Sequence, residues 1–289
     1  MTRKFITDNA QFYITNVCNL TCSECLTFNN RNFKGHFDWV SVEPIYKQWS
    51  DRLAIDNIAI LGGEPFTNPF LLDWVYGLKE CWPDTEDLSV CTNGTFLEQE
   101  LVGKIWDAGY WLDICVHDPA MYSDIELKIQ TIVNAKFQNV RVEPFDHNNE
   151  KGHCYYYNNK QIVKISTHYI FSSSAVKFVK NNVAQMHDSD ITRAHDACQF
   201  KYDCHYFVHG ELYKCSLTAI AKEFIKQFPL DETAKQLLLE YKSGSVQDTD
   251  EQLEVFFNSL NNPIKQCSLC AENLTMVPIW PLAKKKPVY

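Results

Sequence analysis

Cys18, Cys22 and Cys25 form a C-x3-C-x2-C run directly after an apolar, strand-like segment. Cysteine thiolates are the usual protein ligands of iron–sulfur clusters, normally four to a cubane. Three on one short loop would leave one iron of a [4Fe–4S] cluster open, and an open coordination position lets a metal centre take hold of a reacting molecule. Zinc is the competing occupant. It would need a fourth ligand, and His36 is the nearest histidine in sequence.

Two more motifs bear on that choice. Gly62-Gly63-Glu64-Pro65 closes a second apolar run. Glycines there let backbone approach a ligand, and a glutamate can accept hydrogen bonds from a ligand ammonium. Thr92-Asn93-Gly94 closes a third run. Taken singly, each reads as an ordinary turn. Their position matters more, because all three motifs fall at the C-terminal ends of successive expected strands. That is the face on which parallel barrels assemble their sites.

The elements that would carry these motifs alternate. Strands are expected over 11–17, 57–61, 88–92, 111–117 and 140–143, with helices over 39–53 (Asp38 as N-cap), 69–80, 97–108 and 123–136. This order implies a parallel sheet with helical crossovers. Strands over 154–157 and 161–167 flank a turn at Asn158-Asn159-Lys160, one of them available to complete the sheet, and a helix is expected over 174–186. Strand parity puts Leu112, Ile114 and Val116 on one face and Asp113, Cys115 and His117 on the other. The same rule turns Ser89, Cys91 and Asn93 inward, and sets Arg141 and Glu143 opposite Val140 and Val142. Inner faces that polar suggest an open cavity for a polar ligand rather than a filled barrel.

The 289 residues allow one large domain or two smaller ones, and 45% hydrophobic content supports a true core. A net charge of −9 argues against broad nucleic-acid binding, and Lys284, Lys285 and Lys286 read as a solvated end. No run reaches the ~20 apolar residues of a membrane span, and Met1–Asn9 carries no signal-peptide core, so a cytoplasmic location is expected. Twelve cysteines in such a chain point to metal or catalysis rather than disulfides. Beyond the first triad they gather at Cys198/Cys204/Cys215 and at Cys267/Cys270.

Together the three N-terminal motifs resemble those of the radical S-adenosylmethionine (SAM) superfamily. The resemblance implies an α/β fold, a partial (β/α)6 TIM-like barrel. It also implies that Cys18, Cys22 and Cys25 hold a SAM-binding [4Fe–4S] cluster and that Gly62, Gly63 and Glu64 contact SAM, with Asn93 and Cys115 as further cofactor-binding candidates. The family commonly has an aromatic residue before the third cysteine; here it is Glu24, and Phe28 or Phe33 would have to replace its adenine contact. The C-terminal part is similar to the twitch domain, the short relative of the SPASM domain. That similarity implies a small α+β cysteine-rich domain over 188–289, after a barrel over 1–187, with an auxiliary [4Fe–4S] cluster on Cys198, Cys215, Cys267 and Cys270. Cys204 competes with Cys198, and zinc competes for the same four thiolates.

The activity implied is reductive cleavage of SAM to a 5′-deoxyadenosyl radical, which abstracts a hydrogen atom from a substrate. That substrate would be a peptide side chain or a small polar, sugar-like metabolite. The early start of the barrel leaves no room for an N-terminal peptide-recognition domain and so favours a small substrate, or a peptide delivered by another protein. A reductant such as flavodoxin or ferredoxin would supply the electron. His117, Asp118, Arg141 and Glu143 are the candidates for a catalytic role. The reading of a different class is a non-catalytic iron–sulfur or zinc protein, an electron carrier or binding module.

Overall fold

The computed structural model describes residues 3–22, 25–147, 150–168, 170–172, 177–178, 184–202, 204–273 and 275–277. Glu24 and the three lysines of the tail lie outside the described residues.

Four strand–helix units come first: β1 (Phe5–Tyr13) and α1 (Glu43–Arg52), β2 (Leu53–Leu61) and α2 (Leu71–Cys81), β3 (Asp87–Thr92) and α3 (Gln99–Asp107), β4 (Trp111–Val116) and α4 (Tyr122–Lys136). The helices owe their place to one apolar stripe each. In α2 the buried residues Leu71, Trp74, Val75 and Leu78 follow the i, i+3, i+4, i+7 spacing that turns one face to a core. Strands β1 to β4 pair in parallel and in order. Alternation divides their side chains as expected. Phe12, Ile58, Ile60, Val90, Leu112 and Ile114 are buried under the helices, while Gln11, Ala59, Cys91, Asp113 and Cys115 stand half-buried on the inner face.

The strand–helix repeat then stops. After α4 the chain makes a meander, β5 (Arg141–His147), β6 (Glu150–Tyr157) and β7 (Lys160–His168), and it is β7 that pairs with β4. The strand expected over 140–143 as the next parallel neighbour is instead the sheet's far edge. The short connections among β5, β6 and β7 make that part of the sheet antiparallel. Parallel neighbours need a crossover of a dozen or more residues. Asn158 and Asn159, both in the left-handed region at φ 49° and 62°, allow only a hairpin. The barrel therefore keeps its TIM-like curvature on a mixed α/β sheet.

Short pieces follow: β8 (Ile170–Ser172), β9 (Lys177–Phe178), β10 (Ala184–Gln185) and α5 (Ile191–Ala197). The helix expected over 174–186 is not formed at its described residues, where β9 and β10 pair antiparallel; the rest of that stretch lies outside them. Next come β11 (Tyr206–Val208), β12 (Glu211–Tyr213), α6 (Ser216–Gln227), α7 (Glu232–Glu240), α8 (Asp250–Leu260) and β13 (Thr275–Val277). The hairpin β11–β12 adds to the barrel's own sheet, β11 pairing in parallel with β1 and giving the order β12-β11-β1-β2-β3-β4-β7-β6-β5. Phe207 of β11 is fully buried, stacked on Phe12 at 4.9 Å and edge-on to Tyr46 and Trp49 at 5.5 Å each. A second cluster packs α6 and α7 against Tyr13, Phe28 and Tyr206.

Candidate functional site

The three motif loops meet at the C-terminal ends of β1, β2 and β3 and are joined in a ring. The first joint is backbone: Gly63 N–H donates to Thr15 O and Glu64 N–H to Val17 O, both at 2.8 Å. This approach demands glycine. A Cβ on Gly63 would lie 2.3 Å from Val17 O and 3.0 Å from Cys18 Cβ. The second joint is Glu64, which has no exposed surface. Its carboxylate accepts from Asn93 N–H and from the Thr92 hydroxyl at 2.7 Å each, and from Phe66 N–H at 3.1 Å. The third returns to the cysteines. Asn93 donates to Asn19 Oδ1, and Asn19 donates to the Thr95 hydroxyl, both at 2.9 Å.

A buried polar bolt lies beneath the cysteine loop. Tyr13 OH donates to Asn16 Oδ1, and the Asn29 amide donates to both Tyr13 OH and Asn16 O, all at 2.8 Å. Buried polar groups satisfied this completely hold a loop in one conformation. Asn19, Asn16 and Asn29 were not singled out in sequence, and Thr92 entered only as the first residue of its turn motif. Their only signal was the position of Asn19 between two cysteines and of Thr92 before an Asn-Gly turn.

Glu64 and Asn93 are also tied into the protein by their own hydrogen bonds. A carboxylate has about four acceptor positions, and three of those on Glu64 are taken by protein donors. Asn93 likewise spends its side chain on Asn19, Thr95 N–H and the Thr95 hydroxyl. Both residues brace the loops that would surround a cofactor. Burial pushes Glu64 up to about 7, against the pull of its three donors. Burial also raises the Cys18 thiol, and Glu64, Cys25 and Cys22 add to that rise.

Of the catalytic candidates only His117 reaches the cysteine loop: its Nδ1 stands 3.2 Å from Cys22 Sγ. Asp118 caps the 3-10 turn Pro119–Met121, accepting from Ala120 N–H at 3.0 Å. Arg141 and Glu143 pair with one another on the edge strand β5, the guanidinium 4.6 Å over the Tyr156 ring. Val142, expected under a helix, is 46% exposed there, because an edge strand two places beyond β7 has no helix over it. His36, the histidine of the zinc reading, is engaged with the Thr15 hydroxyl at 2.9 Å. Phe28 packs on Phe224 at 4.9 Å inside the second core.

The inner face also holds charges that no motif announced. Lys164 on β7 stands in register with Asp113 on β4, and its ammonium lies 2.6 Å from Glu150. Burial opposes its charge, but Asp113 and Glu150 outweigh burial and hold the ammonium above its usual range. Burial first, then Asp113, raises the inward thiols of Cys91 and Cys115.

A second group of thiols forms on the C-terminal segment. Cys198 ends α5, Cys215 is the N-cap of α6, and Cys267 and Cys270 lie in and just after the 3-10 turn Lys265–Leu269. Burial raises Cys270 most, and Cys215, Cys198 and Cys267 add to it. Cys204 points elsewhere. Its sulfur accepts from the Gln11 amide at 3.2 Å, and it acts on Cys91 across the sheet interior. Lys214, 4% exposed, donates to Leu260 O and lies near three of these thiols, Cys267, Cys215 and Cys198. Burial works against its charge while Cys267, Cys215 and Cys198 favour it. A buried ammonium is costly without negative partners, and thiolates gathered on a metal centre would provide them. Among the described residues no three His, Cys, Asp or Glu side chains converge as the ligands of a single ion would. A cubane makes a different demand, since each thiolate binds its own iron at a separate corner.

No family model matches the chain. It is similar to the GTP 3′,8-cyclase of Petrotoga mobilis, 32% identical over 92 residues, 31% of this chain and 28% of the relative. The GTP 3′,8-cyclase of Moorella thermoacetica is 34% identical over 86 residues, 29% of this chain and 26% of the relative. The chain thus spans less than a third of the length of either cyclase. Its fold is that of BtrN, solved in complex with AdoMet and 2-DOIA: TM-score 0.52 at 14% identity, covering 96% of both chains. The cyclases and BtrN are radical SAM enzymes. The chain thus shares a stretch of sequence with one branch of these enzymes and its fold, almost end to end, with another.

Proposed function

We propose that this protein binds SAM and a [4Fe–4S] cluster on Cys18, Cys22 and Cys25 and uses them to take a hydrogen atom from a small polar substrate held inside the barrel. The observation that carries the reading is the ring of loops in which Gly63 lies against Val17 and Cys18 while Glu64 ties that contact to Thr92 and Asn93. A bare electron carrier has no use for three strand ends locked around a cysteine loop. With cluster and SAM bound, that pair supplies the electron and the C5′–S cleavage that yields the 5′-deoxyadenosyl radical. The chain's own residues do the rest. Gly62 and Gly63 keep the backbone close to the cofactor position. Glu64, Asn93 and Asn19 fix the loop spacing, and the inner faces of β3, β4 and β7 line the substrate space. The full-length likeness to BtrN, whose complex contains the small molecule 2-DOIA, supports a metabolite over a peptide.

The C-terminal thiols are proposed to hold an auxiliary [4Fe–4S] cluster in a twitch-type arrangement, with Cys198, Cys215, Cys267 and Cys270 as ligands and Lys214 balancing part of the negative charge. The orientation of Cys204 toward Gln11 supports Cys198 in that set. An external one-electron donor such as a flavodoxin or ferredoxin would reduce the first cluster. Among the described residues no helix is long and apolar enough to cross a membrane.

The test is anaerobic reconstitution with iron and sulfide, then dithionite and SAM, with assay of 5′-deoxyadenosine and of bound iron. The expected result is deoxyadenosine with about eight irons per chain, the content of two cubanes. Zinc in place of iron and no deoxyadenosine would defeat the proposal and leave a binding module with this fold.

A further inference from the structure

The contact between His117 and Cys22 is unused by the function proposed above, and it joins two parts of the molecule with different duties. His117 follows Val116, the fully buried last residue of β4, and precedes Asp118, whose carboxylate caps the next turn. Strand on one side and capped turn on the other fix its backbone. Its Nδ1 lies 3.2 Å from the sulfur of Cys22, itself only 6% exposed. Cys22 is the middle cysteine of the triad. The other histidine close to the cysteine loop, His36, is engaged with Thr15 and makes no such approach.

We propose that His117 is a positioning residue that donates a hydrogen bond from Nδ1–H to the Cys22 sulfur and thereby raises the reduction potential of the cluster bound there. The inference rests on the proposed cluster-ligand role of Cys22. A thiolate ligand has no proton, so the bond forms only when Nδ1 carries one. Sulfur then accepts, and the imidazole keeps the tautomer this requires. Adding an electron makes the cluster more negative, and a donor aimed at a ligand sulfur favours that state. Hydrogen bonds to the sulfurs are among the features that set cluster potentials. The buried surroundings of Cys22 strengthen the effect, since a hydrogen bond counts for more where the local dielectric is low.

The same contact gives β4 two ends with linked tasks. Asp113 and Cys115 face the substrate space, and the next inward residue, His117, touches the cluster loop. The side chain expected to handle substrate protons thus turns to the cysteine loop.

The test uses the full chain with both clusters reconstituted. Wild type is compared with H117L, which removes the donor, H117F, which removes it while keeping an aromatic ring, and H117N, which keeps an N–H near the Nδ1 position. Bound iron is counted, and the potential of the cluster whose spectrum responds to SAM is measured by a redox titration followed by electron paramagnetic resonance. In H117L and H117F the iron content is expected to hold, while the reduced-to-oxidised ratio at a fixed potential falls about tenfold, equivalent to about 59 mV for a one-electron couple. H117N is expected to recover most of that ratio. An unchanged potential in both apolar variants overturns the inference while leaving the proposed function intact. Loss of iron in both would make His117 a ligand or a structural prop, which also overturns it. A wild type that binds no SAM-responsive cluster overturns the proposed function and, with it, this inference.

Discussion

Glu64 shows how one carboxyl can carry a pH dependence for a whole site. It is held at about 7 in the fold against an ordinary 4.5, so the folded state keeps its proton over a range where the unfolded chain has released it. The stabilisation is complete below the unfolded value and is lost as pH rises through the folded one. The difference of about 2.5 units corresponds to roughly 3 kcal/mol. Urea unfolding of the apoprotein from pH 5 to 8 is expected to show this decline, and E64Q, which mimics the protonated form, is expected to flatten it. Equal slopes in the two proteins would mean that Glu64 is solvated as it folds. The motif identified Glu64 in the sequence but not its work, because its donors Thr92, Asn93 and Phe66 come partly from another strand end. Asp113 was read as inward-facing, but its grouping with Lys164 and Glu150 was hidden for the same reason. They lie on three strands whose neighbourhood is decided by the meander, and no local pattern links them.

Among the elements, the β2 loop makes a tight joint with the cysteine loop. G63A would set a methyl group into backbone at Val17, which cannot turn aside as a side chain can. Overpacking of this kind costs about 1–3 kcal/mol. Its first effect should be on the cysteine loop pressed against it. The variant is expected to melt at lower temperature and, once reconstituted, to retain less iron on the first triad; a protein with wild-type melting and full iron would show that the loops separate at no cost. The strand–helix units were legible because each combines a period with a stop, as in the Leu71–Cys81 stripe and the Asn-Gly turn after β3. The place of β5 was not. Periodicity announces a strand but not its neighbour, and the short turn at Asn158-Asn159 says only that β6 and β7 pair with one another.

For the whole molecule, the sequence divides at about residue 187, whereas the sheet continues through the later segment. Phe207 enters the core of the first segment, and Trp49 of α1 donates to Gly210 O at 2.8 Å. Arg52 reaches forward to Val246 O at 2.7 Å and Asp248 O at 2.9 Å. Contacts this reciprocal make one cooperative unit, so a single unfolding transition is expected in urea. F207A should shift it by about 3–5 kcal/mol, the usual cost of emptying a buried phenylalanine site, without splitting it. Two separated transitions, only one moved by the substitution, would show that the segments fold apart. The cysteine pattern revealed the second segment in the sequence. Its attachment stayed hidden because Tyr206–Val208 is three residues long, too short for alternation to register as a strand.

The pairing of β1 with β11 also has a consequence for how this protein is made. On the ribosome β1 emerges about two hundred residues before the strand that covers its outer edge. Until then the nascent chain carries a bare, apolar strand edge that any other extended chain can join. The cysteine loop just beyond that edge waits too, held on one flank by β2 and open on the other. Metal delivered before residue 206 has been synthesised would meet a half-built scaffold, so the proposed cofactor is expected to load only after that point. High-level expression should accordingly yield aggregates whose extent depends on chaperone supply before it depends on iron.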